Sequence, residues 1–410
     1  NPGSMRWMGE MASGLAQAGL LERYLTTLAG TPELERRLAR LPQVGAYAAG
    51  QARLRRLPPD VARDRAIGVG LPSYVASTAL ARAVHAPAIV QAANARHQEL
   101  FDRAAARRLG PDCRAVIAAS TAARRTLARA RRSGAVAILD YPIAHHNVVD
   151  RLMADEARLQ PRFANTLQYL ARSPRRRRML DAEIASADSI IVLSSFAYRS
   201  FVDAGVAEEK LELIALGVDL EMFTPAQRTQ DEPFRVLFAG QISQRKGISY
   251  LLEGYRRAAL PRSELVFLGR PVGPSSAWIS QPGVVHWPPV AIYDLRSRYV
   301  ACDVYVLPSL AEGFPQTAII AMACGLPVIV SEHTFGSDVV TDGVDGYVVA
   351  IRDPDAIAER LRALAADPEL RRRMGAAARQ TAQRFAWSSY RRSIGELARR
   401  LVGDGPAAGE

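Results

Sequence analysis

Short apolar runs recur along the chain and are separated by longer stretches of helical period. Residues 115–119, 135–139 and 189–193 are nearly continuous in apolar character, as strands buried on both faces of a parallel sheet are. Residues 122–132 carry the helical period between the first two of these runs. The alternation restarts at 234–240 (FRVLFAG), after the polar stretch 225–233, which is the best linker candidate in the chain. Strands alternating with helices predict an α/β protein: two doubly wound, parallel-sheet domains facing a cleft. The start is unlike such a domain, because Asn1-Pro2-Gly3-Ser4 runs straight into a helical pattern over 5–18 with no strand before it.

Composition narrows the class. At 410 residues the chain exceeds one ordinary core and has room for two or three domains. A hydrophobic fraction of 49% against 23% charged excludes disorder and collagen-like repetition. No apolar run approaches the roughly 18 residues of a membrane span, and no basic-then-apolar leader pattern opens the sequence. Cys113, Cys302 and Cys324 are too few and too scattered for a disulfide framework or a zinc site, so a reducing cytoplasm is the expected location. The net charge of +12 is lopsided: residues 1–230 hold 32 basic against 22 acidic side chains, and only Lys210 and Lys246 are lysines. A basic first half suits an anionic partner, and it equally suits an Arg- and Ala-rich genome.

Two segments carry candidate chemistry. In FAGQISQRKG (238–247) a strand ends at Gly240, a polar loop follows, and a helix begins near Gly247. Such a loop gathers backbone N–H groups at the carboxyl end of a sheet, where anions bind. Lys246 either adds a charge there or is simply solvated. In the second segment a strand over 304–307 meets a loop with Glu312 and Gly313, then a helix over 315–324 stopped by Gly325. Backbone N–H groups near Phe314, Gln316 and Thr317 would face a phosphate. Glu312 either belongs to that site or caps the helix. His145 and His146 follow the strand 135–139 and Asp140-Tyr141-Pro142, so they too are either site residues or helix caps. The arginines Arg175, Arg176, Arg177 and Arg178 read as a solvated face or as a contact for anionic lipid.

PSLAEGFPQTAIIAMACGLPVI resembles the nucleotide-sugar signature of family 4 retaining glycosyltransferases. Residues 187–225, 238–252, 336–349 and 353–387 are similar to further segments of that family in the same order. The resemblance implies two Rossmann-like domains facing a central cleft. An acceptor domain would span 1–222 plus 388–410, its last helix crossing back, and a donor domain 223–387. It also implies that Pro2-Gly3-Ser4 is the family's glycine-rich loop, with Ser4 at a usual glycine, and that the strand before it is absent from this chain. Carried over by residue, Lys246 contacts the donor diphosphate with Gly240, and Glu312 contacts the transferred sugar. Gly313, Phe314, Pro315, Gln316 and Thr317 hold the phosphate. Gly3, Ser4 and Tyr141 fall on the acceptor side, and the family's cleft histidine falls on Asp140 or Tyr141.

Two positions depart from the family. The arginine usual after the strand glycine is Gln241, with Arg245 nearby as a substitute. The second glutamate, eight residues after Glu312, is Ile320, which accepts no hydrogen bond from a ribose hydroxyl. The expected activity is retaining, metal-independent transfer of a hexose-type sugar from a nucleotide-diphosphate sugar to a sugar or lipid-linked acceptor, in polysaccharide, glycolipid or glycoconjugate synthesis. Lys246, Glu312, Asp140, His145 and His146 would be the catalytic set, with no cofactor and no nucleic acid. Its place would be the cytoplasm, with peripheral contact at the inner membrane face through Arg175–Arg178. The alternatives are a related synthase or phosphorylase acting on a small sugar, and a non-catalytic scaffold of the same fold.

Overall fold

The computed structural model describes residues 5–40, 49–50, 52–53, 55–83, 87–169, 172–226 and 232–403. Gly3 and Ser4 lie outside the described residues, as does 227–231 of the expected linker.

Among the described residues all strand pairings within the sheets are parallel, and the strands fall into three sheets. In the first half, β1 (Tyr24–Thr26) pairs with β2 (Ala66–Gly68). A second sheet has the order β3 (Ala115–Ala119), β4 (Val136–Asp140), β5 (Ser189–Val192), β6 (Leu211–Leu213). The second half holds six strands: β7 (Phe234–Ala239), β8 (Ser263–Leu268), β9 (Val284–Trp287), β10 (Val304–Leu307), β11 (Val328–Ser331) and β12 (Gly346–Val349). Their spatial order is β12-β11-β10-β7-β8-β9. Every residue of β5, β10 and β11 is buried, as continuous apolar runs under helices on both faces require.

The order of the large sheet decides where chemistry can sit. Winding starts at β7 and runs outward to β8 and β9, then returns to β10 on the other side of β7 and continues to β12. The connections therefore diverge between β7 and β10, and a crevice opens there beyond the carboxyl ends of the strands. The loops after β7 and β10 line that crevice.

Expected boundaries move by a residue or two for local reasons. β4 runs to Asp140 because its backbone still pairs with Ala119 and Ile191. The helix expected from 122 starts at Arg124, after Thr121 turns with φ of 76°. Pro315 is the N-cap of helix Gln316–Ala323 rather than its first residue. β11 begins at Val328 because Pro327, lacking an N–H, only accepts into the ladder, from Tyr305.

The chain passes between the halves twice, and the two passes touch: Val218 N–H donates to Phe385 at 2.7 Å. Helix Trp387–Val402 then lies along helix Arg6–Gln17, tied by Arg391 to Glu10 at 3.2 Å and by Arg399 to the Ala18 carbonyl. A cavity of about 300 Å³, lined by Met8, Met11, Tyr24, Leu25, Ala118 and Ile138, lies within the first half and away from the β7–β10 crevice. Among the described residues no helix is long and apolar enough to cross a membrane.

Candidate functional site

The loop after β7 closes quickly. Gln244–Lys246 forms one 3₁₀ turn, and Gly247 enters helix Ile248–Ala258 at φ of 74°. A Cβ at Gly247 would lie 2.0 Å from the Pro308 carbonyl oxygen, so only glycine lets this turn approach the loop after β10. The two loops are then stitched together. Leu310 N–H donates to the Arg245 carbonyl at 2.8 Å, and Ser309 Oγ donates to the same oxygen at 3.1 Å.

This contact gathers three charges. Glu312 Oε1 accepts from Arg245 Nη1 at 2.7 Å, from Lys246 Nζ at 2.8 Å and from Ser309 Oγ at 3.1 Å. Arg245 and Lys246 are only 7% and 8% exposed. Burial alone would push the Glu312 carboxyl up, but the two cations and the hydrogen bonds outweigh it and hold it at about 2. Burial and the Arg245 charge push the Lys246 ammonium down, against the pull of Glu312. Two basic side chains against one carboxylate make this end of the crevice basic. Glu312 therefore does not cap a helix: its carboxylate turns to the β7 loop, and helix Gln316–Ala323 has no side-chain cap. The uncapped first turn leaves backbone donors at the crevice.

The neighbours of Glu312 have divided tasks. A Cβ on Gly313 would meet the Pro142 carbonyl oxygen at 2.1 Å, so this turn is pressed against the loop after β4 from the first half. Phe314 packs in a ring cluster with Phe335 and Phe385. Gln316 donates to the Gly217 carbonyl at the interdomain crossing, and Thr317 Oγ1 accepts from Tyr305. Ile320 is 8% exposed, one turn further along the helix. β7 stops one residue short of the expected strand end, so Gly240 follows its last residue, with its face toward the Lys246 side chain, and Gln241 is exposed beside it.

The first-half candidates lie deeper. Asp140 is fully buried and accepts from Trp7 Nε1 at 2.9 Å, while its Oδ1 has no partner among the described residues. Burial pushes its carboxyl up to about 6. Tyr141 is buried against Phe201. His145 caps its own helix, Nδ1 accepting from Asn147 N–H at 3.2 Å, and burial lowers the ring to about 4. His146 stacks on it, with Nε2 2.9 Å from Asp181. Both rings are therefore held within the first half, and the capping alternative describes His145. Among the described residues, no group of three or more His, Cys, Asp or Glu side chains is placed to hold a metal.

The arginine run begins helix Pro174–Ser186. It is not uniformly solvated: Arg176 reaches Gln98, Arg177 reaches Asp150 and Arg175 lies 3.8 Å from Glu99, while Arg175, Arg177 and Arg178 are exposed. Cations in a first helical turn oppose the macrodipole, so the fold does not favour them there.

Several site neighbours carry no motif. Gln168 contacts both Arg245 and Gln241. The fully buried Glu156 accepts from Gln244 at 2.6 Å, Tyr250 at 2.9 Å and Arg352 at 2.8 Å. Phe196 stacks on His333, and Asp338 accepts from Ser195 N–H at 2.7 Å. All of these join the two halves across long sequence separations, which neither periodicity nor local spacing reveals.

Comparison with known proteins gives this geometry a context. Residues 221–381 match the family of glycosyl transferases group 1. The chain is 30% identical over 254 residues to a D-inositol 3-phosphate glycosyltransferase of Paenarthrobacter aurescens, covering 55% of this chain and 62% of the relative. It is 32% identical over 230 residues to the enzyme of the same name in Geodermatophilus obscurus, covering 50% of each. The chain thus spans between half and two thirds of the length of these curated relatives. Among solved structures, sucrose-phosphate synthase from Thermosynechococcus elongatus aligns with a TM-score of 0.67 at 21% identity, over 95% of this chain and 91% of that one. Anabaena HepE, solved with UDP and glucose, aligns at 0.60 and 15% identity, over 96% of each chain. The fold is therefore that of glycosyltransferases built from two Rossmann-like domains, as the sequence resemblance implied.

Proposed function

We propose that this chain, whose residues 221–381 form a glycosyl transferases group 1 domain, is a glycosyltransferase of the family 4 retaining type that moves a hexose-type sugar from a nucleotide-diphosphate donor to an acceptor hydroxyl without a metal. The observation that carries the reading is the Arg245–Lys246–Glu312 cluster, buried at the β7–β10 crevice beside an uncapped helix N-terminus. In this reading Lys246, Arg245 and the first-turn N–H groups of helix Gln316–Ala323 neutralise the diphosphate as the glycosidic bond breaks. Glu312 accepts from hydroxyls of the departing sugar. The leaving phosphate oxygen takes the proton of the acceptor hydroxyl, which attacks on the same face. The contact of Gly313 with Pro142 supports a cleft that closes over the donor and keeps out water.

HepE was solved with UDP and glucose, and the similar curated proteins are named inositol 3-phosphate glycosyltransferases. UDP-sugars are therefore the first donors to try, and phosphorylated polyols and sugars the first acceptors. A cytoplasmic protein touching anionic lipid through Arg175 and Arg178 is part of the same proposal. Co-sedimentation with phosphatidylglycerol vesicles should fall when both are changed to Glu, and an unchanged pellet would remove the membrane from it.

The test of function is a thermal-shift screen of UDP-, GDP- and ADP-sugars in EDTA, followed by product analysis. A shift with one donor, slow release of its nucleoside diphosphate and an α-linked product from an α-linked donor are expected. Gln241 and Ile320 favour a second reading, a scaffold that binds without turnover. No shift and no release with any donor would select it.

A further inference from the structure

We propose that Gln168, a side chain of the first half, is a positioning residue that aims Arg245 and Gln241 at the donor diphosphate; this rests on the donor reading above. Gln168 follows the turn Pro161–Thr166, which leans on the second half. Phe163 packs on Trp278 with ring centroids 4.2 Å apart, and Thr166 Oγ1 accepts from Gln244 N–H at 2.9 Å. Gln168 is thereby delivered to the β7 loop, where Oε1 accepts from Arg245 Nε at 2.7 Å and the amide nitrogen donates to Gln241 Oε1.

The chemistry of these groups permits one arrangement. A guanidinium only donates, so the Gln168 oxygen must face Arg245 and its NH₂ must face Gln241. Gln241 then has its oxygen engaged, and its own NH₂ is the end left to a ligand. On Arg245, Nε is taken by Gln168, and Nη1 by the Ala311 carbonyl and Glu312. Nη2 has no partner among the described residues. One amide therefore turns two further N–H donors toward the anion. It does so from the opposite domain, so the donor clamp is complete only when the two domains are together. Gln241 is exposed and uncharged, and without Gln168 no other side chain among the described residues fixes which end of its amide faces the crevice.

The experiment is calorimetry of wild type, Gln168→Ala, Gln168→Ala/Gln241→Arg and Lys246→Ala with UDP, GDP and ADP and the matching monophosphates, in EDTA. Gln168→Ala should weaken the preferred diphosphate about tenfold, the worth of one charge-linked hydrogen bond. Monophosphate affinity should stay within about twofold, since the base and ribose contacts are untouched. An arginine at 241 carries its charge without help from Gln168, so the double variant should recover diphosphate affinity. Equal loss of mono- and diphosphate, or no loss of either, would overturn the role of Gln168 while leaving the donor reading standing. A wild type that binds none of the three diphosphates, or a Lys246→Ala variant that binds as wild type does, would overturn the donor reading and this inference with it.

Discussion

Two buried carboxylates in this protein are governed by opposite forces. Glu312 is buried but sits on Arg245 and Lys246, so its carboxyl lies near 2, well below the ordinary 4.5. The fold prefers it charged; this stabilisation is complete above the ordinary carboxyl range and is lost as pH falls from about 4.5 toward 2. Glu312→Gln leaves two buried cations facing each other without an anion. It should cost about 3 kcal/mol of stability, read as a lower Tm, and should abolish transfer. Because a diphosphate then supplies the missing negative charge, the nucleotide-induced rise in Tm should be larger for the variant than for wild type. Among the described residues Asp140 accepts from one side-chain donor, Trp7, and burial raises it to about 6 from 3.8. The fold prefers it neutral, so its contribution is complete below pH 3.8 and is lost as pH rises through 6. Asp140→Asn keeps an oxygen for Trp7 and removes the buried charge. It should raise stability at pH 7.5 by on the order of 2 kcal/mol and barely change it at pH 4, measured as Tm against pH. Equal effects at both pH values would mean that the carboxyl is not neutralised by burial.

Helix Gln316–Ala323 concentrates what one element can be asked to do. Its N-terminus faces the crevice, its far turns lie in the core, and Ile320 sits between the two at 8% exposure. Ile320→Glu would bring a carboxylate close to the place where a ribose is expected, at the expense of burying a charge. Tm should drop by several degrees while UDP affinity rises by about tenfold, the value of one hydrogen bond to a charged group. Weaker UDP binding in a folded variant would show that the ribose is held elsewhere. This helix, its Pro315 entry and its Gly325 exit were legible in the sequence, because turn chemistry and continuous burial write themselves into adjacent residues. So were β3, β7 and β10. Arg245 could be named as a neighbour of Lys246 but not aimed, since a side chain's direction depends on the loop it folds against. The histidines stayed open between two readings for a related reason: a pair at a strand's carboxyl end looks alike in sequence whether it faces a cleft or caps a helix, and only the fold shows His145 capping its own helix. Glu156 and Gln168 were invisible, because their partners lie more than seventy residues away and no local pattern marks them.

Closing a cleft between two domains requires contacts that hold the closed form without cementing it. Here the polar contacts cluster around the β7 loop, and Glu156 is their centre. It is fully buried, it comes from helix His146–Leu159 of the first half, and its partners Gln244, Tyr250 and Arg352 all belong to the second. Gln244 lies in the same 3₁₀ turn as Arg245 and Lys246, so the interface is continuous with the anion site. Removing the Glu156 carboxylate leaves one guanidinium and two neutral donors without their acceptor, within an interface that water reaches poorly. Glu156→Ala should lower stability by about 3 kcal/mol. Glu156→Gln, which still accepts from one or two of the three, should lose roughly half as much. The two substitutions should also loosen the closed form in the same order. Small-angle scattering should give a larger radius of gyration for Glu156→Ala than for wild type, and a saturating nucleotide-diphosphate sugar should bring it part of the way back. If both variants scatter as wild type does while Tm falls, Glu156 supports local packing only and domain closure is held by the Gly313–Pro142 and Ser195–Asp338 contacts.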